Sequence, residues 1–115
     1  MDFLHLSLWD YTKATTKRPG EHALALFRVA VPRDIPILAA GLVWTRADAE
    51  RVLELGADAV AIGRAAIVNP DWARRIAEPA WQPVRTPVTA AWLRECGLNE
   101  IFIERMRHRE NFVKG

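Results

Sequence analysis

The chain contains one cysteine, Cys96, so it closes no internal disulfide, and it shows no paired spacing of residues that would hold a metal. A reducing cytoplasm suits such a chain. It also lacks a block of one charge: 16 Lys and Arg are dispersed among 14 Asp and Glu, and the net charge is only +2. Nucleic-acid binding is not indicated. The amino terminus has no basic start, and Asp2, His5 and Asp10 interrupt its apolar residues. It reads as a strand, not as a signal peptide or a membrane span. No internal repeat is visible. What the chain does have is hydrophobic content, at 50% of residues, which is the composition of a folded domain and not of a disordered one.

The organising stretch is residues 35–76, which read as strand, helix, strand and the start of another helix. Residues 35–40 form a short apolar run ended by Gly41, as suits a strand buried on both faces. Thr45 caps the following helix, with Asp48 completing a weaker relative of the capping box. Ala49, Val52 and Leu53 share a face, and Gly56 ends the helix in the left-handed region. Residues 59–62 are the next strand, closed by Gly63 and Arg64. A right-handed crossover places both strand ends on one rim. On such a rim a glycine lets backbone N–H groups reach a phosphate, and Arg64 adds a fixed charge.

Around this stretch, residues 3–9 alternate, with Leu4, Leu6 and Leu8 opposite Phe3, His5, Ser7 and Trp9. Trp9 and Tyr11 fall at the strand's carboxyl end. Residues 10–20 form a loop whose Lys13, Lys17 and Arg18 are read first as a solvated surface, with attraction of a nicotinamide cofactor's phosphates as the alternative. Residues 21–31 are a helix with Leu24, Phe27 and Val31 on one face. Asn69 and Pro70 start a later helix, Asp71 complements its dipole, and Trp72 and Ile76 pack inward. Residues 78–87 form an extended strap. Thr89 caps a short helix to Cys96, ended by Gly97, and Asn99 caps another to about residue 108, with Ile101, Phe102 and Met106 as core candidates. Cys96 is a small buried residue.

These residues carry a resemblance. AAGLVWT, then GADAVAIGRAAIVNPDW, with HLSLWDYT before and FIERMRHRENFVKG after, resemble the carboxyl-terminal part of the Old Yellow Enzyme family of FMN-dependent NAD(P)H:flavin oxidoreductases and ene-reductases. The resemblance implies an α/β fold, the carboxyl-terminal part of a (β/α)8 TIM barrel with about three parallel strands and flanking helices. The chain is then a single partial barrel domain, with strand and helix alternating over residues 1–78 and a closing tail with short helices over 79–115. A full barrel takes about 250 residues, so the chain is expected to be a fragment, marginally stable or associated with itself or with the missing barrel portion.

The resemblance assigns Gly41, Leu42, Gly63 and Arg64 to the FMN phosphate, mainly through backbone N–H groups, with the Arg64 side chain near the phosphate or the isoalloxazine edge, and Ala40 lining the same pocket. Leu42 stands where many relatives have a second glycine. His5 and Ser7 would lie below the flavin, as interior polar residues or in direct contact with it. Arg105, Arg107 and Arg109 are a solvated face or, as in some relatives, a source of an arginine for a neighbouring active site. NADH or NADPH is the implied reductant and an activated alkene or similar small molecule the acceptor. No catalytic residue and no metal ligand is assigned, because the family's ring-tuning and proton-donating groups lie on earlier strands. Two functions follow: part of an FMN oxidoreductase, or a non-catalytic phosphate-binding or assembly remnant. A different phosphate-binding barrel family is a third, which HLSLWDYT and the closing segment oppose.

Overall fold

Alternation of leucine with exposed residues at the amino terminus produces β1 (Leu4–Ser7), whose leucines are half-buried while Phe3, His5, Ser7 and Trp9 stand in solvent. The computed structural model describes residues 2–13 and 20–115 and divides into two compact units, Met1–Gly63 and Arg64–Gly115. In the first unit, α1 (Ala23–Ala30), β2 (Ile37–Ala40), α2 (Arg46–Glu54) and β3 (Ala59–Val60) follow β1. The three strands pair in parallel in the order β1-β2-β3, Leu4 facing Ile37 and Leu38 facing Ala59. Both connections therefore cross over through a helix, which is the mixed α/β, parallel arrangement of part of a TIM barrel. β2 lies in the middle, and Ile37, Ala39, Leu24 and Val52 form the buried centre.

The local signals act where they were read. Thr45 Oγ1 accepts from Asp48 N at 3.1 Å and Asp48 Oδ2 accepts from Thr45 N at 2.9 Å, a complete capping box. Gly56 has φ +121° just beyond α2. The helix faces differ from expectation. Leu53 and Phe27 are each 44% exposed, whereas Arg28 is buried. The Arg28 guanidinium turns inward because it finds Asp58 at 3.0 Å and the carbonyl of Pro32 at 2.9 Å. Its stem occupies the space that Gly56 leaves, since a Cβ on Gly56 would lie 2.7 Å from Arg28 Cγ. Asp58 also accepts from Ile37 N at 2.8 Å, so one ion pair ties α1 to the entries of β2 and β3.

The second unit runs α3 (Arg64–Val68), α4 (Trp72–Arg75), β4 (Val88–Thr89), α5 (Ala90–Glu95), α6 (Glu100–Arg107) and β5 (Val113–Lys114). Its core is Val68, Trp72, Val88, Leu93, Ile103, Met106 and Phe112. Thr89 and Asn99 cap α5 and α6 as expected, accepting from Trp92 N and Phe102 N. Ile101, expected inside, is 77% exposed, and Ile103 takes its place. Asn69 is not a helix cap. Buried, it donates to the carbonyls of Ala65 and Val84 and accepts from Val84 N, each at 2.9 Å, and so clamps the strap to α3. The parallel pairing of β4 with β5 had no sequence signal. Among the described residues no helix is long and apolar enough to cross a membrane.

Candidate functional site at the carboxyl edge of the sheet

Because β2 and β3 are parallel, their carboxyl ends share one edge of the sheet. Ala39 faces Val60 in the last pair of the register, so Gly41 and Leu42 follow the end of β2 and Gly63 lies beyond the end of β3. Ala40, Gly41, Leu42 and Gly63 thus collect on the edge where parallel α/β sheets bind ligands. Their conformations differ. A Cβ on Gly63 would meet nothing within 4 Å, whereas one on Gly41 would lie 2.8 Å from Tyr11 N and 3.0 Å from Leu8 Cβ. Gly41 is therefore glycine because the chain after β1 packs on it, and Gly63 faces open space. Leu42 has φ +53°, the left-handed conformation that favours glycine over a residue with a side chain. Among the described residues, the N–H groups of Leu42 and Gly63 donate to no backbone carbonyl.

Arg64, peptide-bonded to Gly63, is the first residue of the second unit. Its guanidinium lies 5.3 Å from the centre of the Phe112 ring, a cation–π contact. With Arg109, Phe102, Met106 and Ile67, these two residues line a cavity of about 230 Å³. Arg109 is thus the closing arginine that shares a cavity with Arg64. Arg107 pairs with Glu104 at 3.4 Å, and Arg105 is exposed. Of the other candidates, His5, Ser7 and Lys13 are exposed, while Lys17 and Arg18 lie outside the described residues. Burial, then Glu95 and Asp71, pushes the half-buried Cys96 thiol up from its ordinary value. Among the described residues no cluster of three or more His, Cys, Asp or Glu is placed to hold a metal.

The sequence reading missed a pair that borders the edge. Tyr11 Oη donates to Asp48 Oδ1 at 2.6 Å, and Asp48 Oδ2 accepts from Trp44 N at 3.0 Å as well as from Thr45 N. Burial, then the bond to Asp48, pushes the Tyr11 hydroxyl up to about 12. Burial acts to raise Asp48 too, but the bonds from Tyr11, Thr45 and Trp44 outweigh it and hold the carboxyl below its usual value. A Tyr four residues beyond β1 and a helix-capping Asp carry no joint signal, since 37 positions separate them.

The family model of dihydrouridine synthase (Dus) matches residues 22–108. The "Probable NADH-dependent flavin oxidoreductase YqiG" of Bacillus subtilis is 29% identical over 90 residues, covering 76% of this chain and 24% of that protein. The "NADH:fumarate oxidoreductase" of Klebsiella pneumoniae is 51% identical over 82 residues, 67% of this chain and 9% of that protein. The "Imidazole glycerol phosphate synthase subunit HisF" of Psychromonas ingrahamii is 45% identical over 73 residues, 64% of this chain and 28% of that protein. The chain therefore spans about a quarter or less of the length of the first two relatives. No solved structure matches it. Strands that run parallel and helices that cross between them agree with the matched family, and the chain belongs to the dihydrouridine synthase family, a family of flavin-dependent TIM barrels.

Proposed function

We propose that this chain is the carboxyl-terminal part of an FMN-dependent oxidoreductase of the NADH:flavin oxidoreductase and Old Yellow Enzyme type, and that it supplies the phosphate end of the flavin site. The observation that carries this reading is the open space at Gly63 beyond β3 and the left-handed Leu42 beyond β2, at both of which the N–H group has no backbone partner among the described residues. Such a cradle suits a phosphate, because a backbone without a Cβ, as at Gly63, lets its oxygens come close to N–H donors. Leu42 and Gly63 hold the phosphate through their backbones, and Ala40 and Gly41 form the wall. The chemistry that FMN supplies is hydride transfer from NADH or NADPH to an activated alkene or similar acceptor. The flavin and NADH in the relatives' names support that class.

In this reading the catalytic strands belong to the remainder of the barrel. The sheet supports pairing with further strands or with a second copy: among the described residues β1 and β3 each pair along one edge only, and Phe3 and Trp9 stand exposed beside β1. A second reading, a phosphate-binding module without redox chemistry, is favoured by the relative whose name carries a glycerol phosphate. Titrating the chain with FMN and with inorganic phosphate separates the two. FMN binding displaced by phosphate, with a purified protein that is yellow, supports the flavin reading. Phosphate binding without FMN binding supports the module.

A further inference from the structure

We propose that Tyr11 and Asp48 are positioning residues that set the shape of the turn over residues 41–45, and thereby present the Leu42 N–H to a phosphate group. The inference rests on the flavin-phosphate reading above for its ligand, and on the geometry of the first unit for the rest. The turn joins β2 to α2, and both of its ends are tied to Tyr11. At one end, Gly41 O accepts from Tyr11 N at 3.0 Å. At the other, the N–H groups of Trp44 and Thr45 converge on Asp48 Oδ2, and Asp48 Oδ1 accepts the Tyr11 hydroxyl at 2.6 Å. Tyr11 is itself fixed, for its carbonyl accepts from His22 Nε2, while His22 Nδ1 accepts from Leu24 N at the start of α1.

Only Leu42 and Val43 lie between the two anchored ends, and Leu42 is the residue in the left-handed region. A leucine adopts that conformation at a cost, and the conformation persists where the surroundings over-determine it. The capping box alone would fix Thr45 and Asp48 but leave the carboxylate's second oxygen to solvent. The tyrosine occupies that oxygen and thereby links the helix start to the chain after β1. The groups that act on the Tyr11 hydroxyl are Asp48 and Asp10, which favour its neutral donating form, and Arg51, which opposes them.

Tyr11→Phe deletes the hydroxyl and keeps the ring, so the unit is expected to stay folded. Two measurements on the full chain decide the matter. The first is amide hydrogen exchange by NMR. Loss of one bond to a carboxylate predicts about tenfold faster exchange at Trp44 and Thr45, whose N–H groups donate to Asp48, with α1 unchanged. Unchanged exchange at those two amides overturns the proposal whatever the flavin results. The second is binding of FMN against riboflavin, which lacks the phosphate. The expectation is that Tyr11→Phe weakens FMN by about tenfold and leaves riboflavin unchanged. If the parent prefers FMN and the variant binds it equally well, the turn does not present the phosphate donor. If the parent itself binds FMN no better than riboflavin, the flavin-phosphate reading falls and takes the ligand half of the proposal with it, while exchange still decides whether the pair sets the turn. Because Tyr11 is the only tyrosine in the chain, its ultraviolet titration gives an independent check: Asp48→Asn should bring tyrosinate formation to lower pH. No change there would overturn the bond itself.

Discussion

A methyl group on Gly41 would lie 2.8 Å from Tyr11 N and 3.2 Å from Leu8 O, both backbone atoms that cannot step aside, whereas a methyl group on Gly63 meets nothing within 4 Å. Gly41→Ala is therefore expected to cost about 1–3 kcal/mol, seen as a lower urea midpoint. Gly63→Ala should stay within about 0.5 kcal/mol of the parent and yet weaken FMN, because its methyl group would fill the space a phosphate needs. If Gly63→Ala bound FMN as well as the parent, the cradle would be elsewhere. Leu42→Gly removes the left-handed penalty and adds chain entropy, two effects of about 1 kcal/mol with opposite sign. It should be nearly neutral, while Leu53→Gly within α2 loses about 1 kcal/mol. The open backbone at Gly63 was legible in the sequence as a glycine that closes a strand. The packing role of Gly41 was not, because it depends on a chain segment some 30 positions earlier that carries no periodicity toward it.

Among the elements, the helix starts at Thr45, Thr89 and Asn99 could be read directly, since a cap is a bond between residues three apart. Helix faces were harder. Spacing placed Phe27 inside α1, but the buried position went to Arg28 because Asp58, 30 residues on, and the carbonyls after α1 receive its guanidinium. Arg28→Met leaves those carbonyls unpaired and should cost about 2–3 kcal/mol, a fall in Tm of several degrees for a unit of this size. Gly56→Ala meets the same arginine stem at 2.7 Å in a backbone with φ +121°, so it should destabilise by more than about 1 kcal/mol. Tyr11 and Asp48 couple the end of β1 to α2 and give the fold a pH signature. The Tyr11 hydroxyl is raised from 10.0 to about 12, so its contribution is full below pH 10 and is lost as pH climbs toward 12. Asp48 is lowered from 3.8, so its contribution is full above that value and is lost as pH falls through the depressed one. Thermal melts across pH should show both losses in the parent, and Tyr11→Phe should remove the alkaline loss that this hydroxyl causes.

For the whole molecule, parallel strands joined by helices were legible because short apolar runs ended by glycine alternate with capped helices. The pairing of β4 with β5 was not, as two strands of two residues each show no alternation. The chain covers 24% and 9% of its first relatives, and a sheet of three strands from a barrel presents edges and an inner face that further strands would cover. Sedimentation should accordingly give a mass above the 13.0 kDa of one chain, and a strict monomer would count against open edges that seek partners. The most direct test of the carboxyl edge as a flavin-phosphate site is a fluorescence titration of FMN with the purified chain, set beside riboflavin. Saturable quenching of FMN with little effect on riboflavin is the expected result. Equal binding of the two, or binding of neither, would contradict a phosphate site formed by this chain.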